Sequence, residues 1–99
     1  MKKRIFLLFL LAVTAVSLVS AQGRVITGNV TEADGNPIPG VTVYEKGTTN
    51  GTITDMNGKY QLTVPANATT LIFSFVGMQP QEIEIGSRAM IDVIMESST

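Results

Sequence analysis

Gly28-Asn29-Val30-Thr31-Glu32-Ala33-Asp34-Gly35-Asn36-Pro37-Ile38-Pro39-Gly40-Val41-Thr42-Val43 is followed by Gly51-Thr52-Ile53-Thr54-Asp55-Met56-Asn57-Gly58-Lys59-Tyr60. Each stretch sets an acid or an Asn beside Gly, where the chain must reverse. Each flanks that point with β-branched residues that favour extended backbone. The pattern reads as short strands joined by tight turns. Pro37 and Pro39 lack backbone donors, so residues 34–40 are expected outside any ladder. At Met56-Asn57-Gly58, Asn57 and Gly58 are both expected to supply the positive φ of a hairpin turn.

Outward from these turns, the same logic gives about seven strands, the spacing of a sandwich or barrel. Val25–Val30 places Ile26, Gly28 and Val30 on one face. Gly28 inside a strand signals close approach of a neighbouring backbone. Val41–Glu45 alternates Val41 and Val43 against Thr42 and Tyr44. Thr52–Asp55 is a short strand, and Lys59–Val64 turns Tyr60, Leu62 and Val64 to one side. Thr70–Val76 is the most apolar run, with Leu71, Phe73 and Phe75 inward and Ile72 and Val76 on the other face. In Gln81–Ile85, Ile83 and Ile85 oppose Glu82 and Glu84, as in a half-exposed strand. Ala89–Met95 aligns Ile91, Val93 and Met95 as the last strand.

Residues 1–21 read as an export signal. Lys2, Lys3 and Arg4 precede an apolar run from Ile5 to Val19, and small residues lead to cleavage between Ala21 and Gln22. That run falls short of the ~20 residues of a membrane-spanning helix. The remaining chain, 22–99, is expected to be one domain. Its four bases and eight acids give a net charge of −4, which excludes a basic footprint for nucleic acid or anionic lipid. A chain this small buries a limited core, so a net stability of ~5 kcal/mol is expected, with no disulfide to help.

There is no His and no Cys. Ser-His-Asp and Cys-His catalysis are therefore excluded, together with the usual zinc ligands. No nucleotide-binding glycine loop is present. Asp55-Met56-Asn57-Gly58 falls short of a calcium loop, because no acid lies between Asp55 and Glu82 to complete the ligand set. Asp34 and Asp55 fit turn positions whose side chains bond their own backbone. No cofactor or metal is expected. Tyr44 and Tyr60 are the only tyrosines, and Trp is absent. Tyr60 is expected in the core and Tyr44 at the surface, where one aromatic makes a weak glycan platform.

With these residues in view, the chain resembles the carboxypeptidase-regulatory-like domain family. The resemblance rests on Ile26-Thr27-Gly28-Asn29-Val30-Thr31, Asp34 to Val43, Lys46-Gly47-Thr48, Gly51-Thr52, Thr54-Asp55, Asn57-Gly58-Lys59-Tyr60 and Phe73-Ser74-Phe75-Val76-Gly77-Met78. It implies an all-β, seven-stranded, transthyretin-like (prealbumin-like) sandwich. More narrowly, the chain looks like the N-terminal extension of SusC/RagA-type TonB-dependent outer-membrane transporters of the Bacteroidetes. Such a module follows the signal peptide and precedes a TonB box, a plug and a large barrel. Glu32 stands where the family more often has Asp, and Met78 where an aromatic is usual.

The resemblance implies a non-catalytic module on the periplasmic side of the outer membrane. Its partners would be the downstream plug and barrel and a SusD-type lipoprotein. It would position proteins or regulate nutrient and glycan uptake. Residues 22–99 are too few for a membrane barrel, so the chain is expected to be a fragment of a transporter or a free-standing module. In the second case it would be a periplasmic or secreted binding module for a glycan or cell-surface partner. Tyr44, Glu82, Glu84, Asp92 and Glu96 are the expected contact residues. A solvated edge that resists strand pairing explains the acids equally well.

Overall fold

The computed structural model describes residues 23–98, so the export signal and the Ala21–Gln22 junction lie outside the described residues. Seven strands form two sheets: β1 (Arg24–Glu32), β2 (Thr42–Glu45), β3 (Gly51–Ile53), β4 (Lys59–Val64), β5 (Thr70–Ser74), β6 (Gln81–Glu84) and β7 (Val93–Met95). No helix occurs among the described residues. One sheet has the order β4-β1-β7, the other β3-β2-β5-β6. All pairings are antiparallel except that of β1 with β7. This is the all-β, seven-stranded sandwich that the family resemblance implies.

The inward residues behave as a period of two demands. Along β4, Tyr60, Leu62 and Val64 are buried between exposed Lys59, Gln61 and Thr63. Ile26, Val30, Val43, Leu71, Phe73, Ile85, Ile91 and Met95 complete most of the core, with Phe75, Met78 and Ile83 half-buried against it. Each fully buried aliphatic or aromatic side chain contributes about 1.5–3 kcal/mol. The Tyr60 and Phe73 rings meet edge to face across the sandwich, 5.4 Å apart at 75°.

Four expectations are corrected, three of them at turns and strand ends before the last strand. Asn57 does not take a positive φ; among the described residues only glycines do, and Gly58 (φ 76°) carries this turn alone. The Asp55 carboxylate spans the turn: Oδ1 accepts from the backbone N–H groups of Asn57 (2.9 Å) and Lys59 (3.0 Å), on either side of Gly58. Pro37 does belong to a ladder, in a bridge with Thr31. The bridge uses the Ile38 N–H and the Asn36 carbonyl, so the donor that proline lacks is not needed. Finally, β5 stops at Ser74, leaving Val76 exposed in a turn at Gly77 (φ 80°) rather than in the strand.

The last strand is also shorter than Ala89–Met95, for a reason visible in its bonds. Thr27 N–H donates to the Ala89 carbonyl and Ile91 N–H to the Thr27 carbonyl, as a parallel ladder requires. The next rung would join Asn29 N–H to the Ile91 carbonyl. Instead the Tyr60 hydroxyl donates to that carbonyl at 2.6 Å, and Asn29 N–H donates to Asp92 Oδ1 at 2.9 Å. The ladder resumes at Val30 and Val93.

Burial first, then the Asp92 carboxylate, push the Tyr60 hydroxyl up to about 12, against a lowering by Arg88. In an unfolded chain a tyrosine titrates near 10. The fold holds the neutral form, so this stabilisation is whole below about pH 10 and drains away as the pH rises through 12. Tyr60→Phe should abolish that alkaline loss and cost about 1–2 kcal/mol at neutral pH, because the Ile91 carbonyl loses its partner. Urea unfolding of both proteins across this range checks it. An unchanged alkaline slope in Tyr60→Phe would refute the assignment.

Candidate functional site

The β-sandwich has two outer faces, and the acids fall on both. On the four-stranded sheet, Gly51, Tyr44, Ile72 and Glu82 lie in one cross-strand row. Glu84 lies in the next, opposite Thr70. Strand parity places Tyr44, Glu82 and Glu84 on the same side, away from Val43, Leu71 and Phe73. Lys46 Nζ approaches Glu82 Oε1 at 3.1 Å, both side chains being about half exposed. Water screens such a pair, so it contributes at most about 1 kcal/mol.

Asp92 and Glu96 immediately flank β7, an edge strand of the three-stranded sheet, and lie outside the strand itself. Asp92 is already engaged with Asn29, through the backbone at 2.9 Å and the side-chain amide at 3.4 Å. The Glu96 carbonyl accepts from Gln79 N–H at 2.9 Å, which fastens the tail to the turn after β5. Ser98 N–H donates to the Gly77 carbonyl in the same clip. The five expected contact residues thus form two separate groups.

The carboxylates weighed for chemistry are held in their own turns. Asp34 Oδ1 accepts from Asn36 N–H at 3.1 Å and Oδ2 from the Asn36 amide at 3.0 Å. Asp55 is occupied as described above. No group of three or more metal-ligating side chains occurs among the described residues. No helix among them is long and apolar enough to cross a membrane.

Two features were not visible in the sequence. Lys46 takes part in the Glu82 face, because the turn that follows β2 bonds the start of β5 through Lys46 N–H and the Thr70 carbonyl. Ile53 and Met90 are exposed at 62% and 66% and help line an open groove with Asn29, Asp55, Lys59 and Gln61. Ile53 lay in a strand of unknown orientation, so no pattern could have marked it.

The sequence model of the CarboxypepD_reg-like domain family matches residues 26–99. The chain belongs to this family. Its CarboxypepD_reg-like domain is similar to "TonB-dependent receptor P39" of Formosa agariphila, 41% identical over 91 residues. It is also similar to "TonB-dependent receptor SusC" of Bacteroides thetaiotaomicron, 39% identical over 79 residues. These matches cover 92% and 80% of this chain but only 9% and 8% of the receptors, so the chain spans under a tenth of the length of the curated relatives it matches.

Among solved structures, the CarboxypepD_reg-like domain resembles part of a C-terminal-interface mutant of a type II cohesin–X–dockerin complex from Acetivibrio cellulolyticus. The TM-score is 0.60 at 23% identity, covering 76% of this chain and 58% of that one. An N-terminal-interface mutant of the same complex gives the same score at 24% identity. At that identity the likeness concerns the fold alone.

Proposed function

We propose that this domain is the N-terminal, non-catalytic module of a SusC-type TonB-dependent receptor. It is delivered to the periplasmic side of the outer membrane after cleavage between Ala21 and Gln22. Its work is to position or regulate the receptor's plug and barrel and a SusD-type lipoprotein during uptake. One observation carries this reading: four curated relatives match 79–95% of this chain, and each is named a TonB-dependent receptor. The absence of His and Cys from the sequence, and the engagement of Asp34 and Asp55 in their own turns, favour binding over catalysis.

An antibody raised against residues 22–99 and used on separated envelope fractions tests the context. A band of receptor size in the outer membrane supports the proposal. A small free band in the periplasm or medium would overturn it in favour of an independent binding module.

The contact face is proposed to be the one bearing Tyr44, Glu82 and Glu84. Charge reversal at Glu82→Lys and Glu84→Lys, made together in the intact receptor, also replaces the ion pair at Lys46 with a like-charge contact. The surface pair is weak, so folding should change by under about 1 kcal/mol. Uptake should fall severalfold if this face meets a partner. Unchanged uptake would dismiss it.

A further inference from the structure

We propose that the outer surface of β2 and β3 holds a weak binding site for a neutral pyranose sugar, independently of the receptor context. The site is a shallow depression of about 390 Å³. Tyr44, Gly51 and Ile53 line it together with Thr42, Thr48, Thr49 and Thr52. Three properties of these residues select the ligand class.

The first is the pairing of Tyr44 with Gly51. They are direct cross-strand neighbours. A side chain at position 51 would begin 2.9 Å from Tyr44 Cβ. With glycine there, nothing on β3 stands directly beside the tyrosine, and that flank stays open. Ile53, 62% exposed two residues on, extends the apolar surface. An aromatic ring with an open side beside an aliphatic side chain suits the C–H face of a pyranose.

The second is the hydroxyl rim. No hydrogen bond within the described residues engages the hydroxyls of Tyr44, Thr42 or Thr49. Thr48 differs: its hydroxyl donates to the Glu45 carbonyl and accepts from Asn50 N–H, which shapes the loop. The three free hydroxyls can each donate and accept, matching the edge of a sugar ring.

The third is charge. No Asp, Glu, Lys or Arg side chain lines the depression. An anionic or cationic ligand would find no partner there, whereas the groove around Lys59 and Asp55 offers both signs. A neutral ligand with one apolar face and a polar edge is what remains. The shallowness limits affinity, since an open site buries little of its ligand.

The test is a titration of the isotope-labelled chain, expressed from its own first residue and recovered after export. Maltose, cellobiose, xylobiose and N-acetylglucosamine serve as neutral probes, with galacturonate and glucosamine as charged ones. Amide shifts are followed by NMR. At least one neutral sugar should shift Tyr44, Gly51 and Ile53, with a Kd of about 1–10 mM. Tyr44→Ala should weaken that binding at least about tenfold, the loss of one stacking contact. Thr49→Val, on an exposed loop that leaves the core untouched, should weaken it by a smaller factor. No response to any neutral probe would overturn the proposal. So would shifts that survive Tyr44→Ala, or charged sugars binding as well as neutral ones.

Discussion

Gly28→Ala should remove about 3 kcal/mol or more of stability, over half of what holds the domain folded. A Cβ at this position would lie 1.9 Å from the Ile91 carbonyl oxygen and 2.9 Å from Tyr60 Cε1. The first clash is with backbone, so no side-chain rotation relieves it. β1 and the segment before β7 must move apart. That separation threatens the Tyr60 bond to Ile91 and the Asp92 bond to Asn29, the two that bridge the interrupted ladder. Overpacking alone costs about 1–3 kcal/mol, and the broken bonds add to it. Against a total near 5 kcal/mol, such a loss is decisive.

Urea denaturation followed by circular dichroism measures the effect. Gly35→Ala is the control. Gly35 has φ 91° and nothing within 4 Å of a built Cβ. Alanine there should cost only about 1–2 kcal/mol of backbone strain. Equal losses at the two positions would show that the close approach at Gly28 is not what matters.

The second large effect is expected at Thr54, whose side chain is buried. Its hydroxyl donates to the Ile38 carbonyl at 2.7 Å and accepts from Val41 N–H at 2.9 Å. Its own backbone bonds the same loop, to Gly40 and Val41. Thr54→Val keeps the shape and strands two buried backbone groups. Each orphan costs about 1–3 kcal/mol, so a loss of about 2 kcal/mol or more is expected. Thr54→Ser keeps the hydroxyl and should lose about 1 kcal/mol for the methyl group. A valine variant within about 0.5 kcal/mol of the parent would remove the hydroxyl from any role in holding the loop.

What the sequence revealed and what it hid divide along the range of the interactions. Lys59–Val64 alternates without error because burial on one face of a strand imposes a period of two. Asp55 and Gly58 were legible as a turn because their partners lie within four residues. Gly28 announced a close approach but not its neighbour, since Ile91 is remote in the chain. Thr54 gave no sign, because a buried threonine and a surface threonine look alike in a β-branched strand. Parity told which acids share a face within β6 or along the last strand. It could not tell which sheet each strand would join, and so the separation of Glu82 and Glu84 from Asp92 and Glu96 had to await the topology. The open flank of Tyr44 depends on the register between β2 and β3, which the 46–50 loop sets.

The parallel pairing of the first and last strands governs how the domain sits in any longer chain. β1 begins at Arg24 and runs to Glu32, where β7 ends at Met95 beside it. The tail is then clipped to the turn at Gly77, next to the Glu32 end. A segment before Gly23 therefore meets the sandwich at one pole. A segment after Ser98 departs from the other, about 25–30 Å away at the rise of an extended strand. The N-terminal pole is thereby held a full strand length from the point where any following chain attaches. The domain is a spacer with its free end turned away from its tether, not a side branch hung from a hairpin.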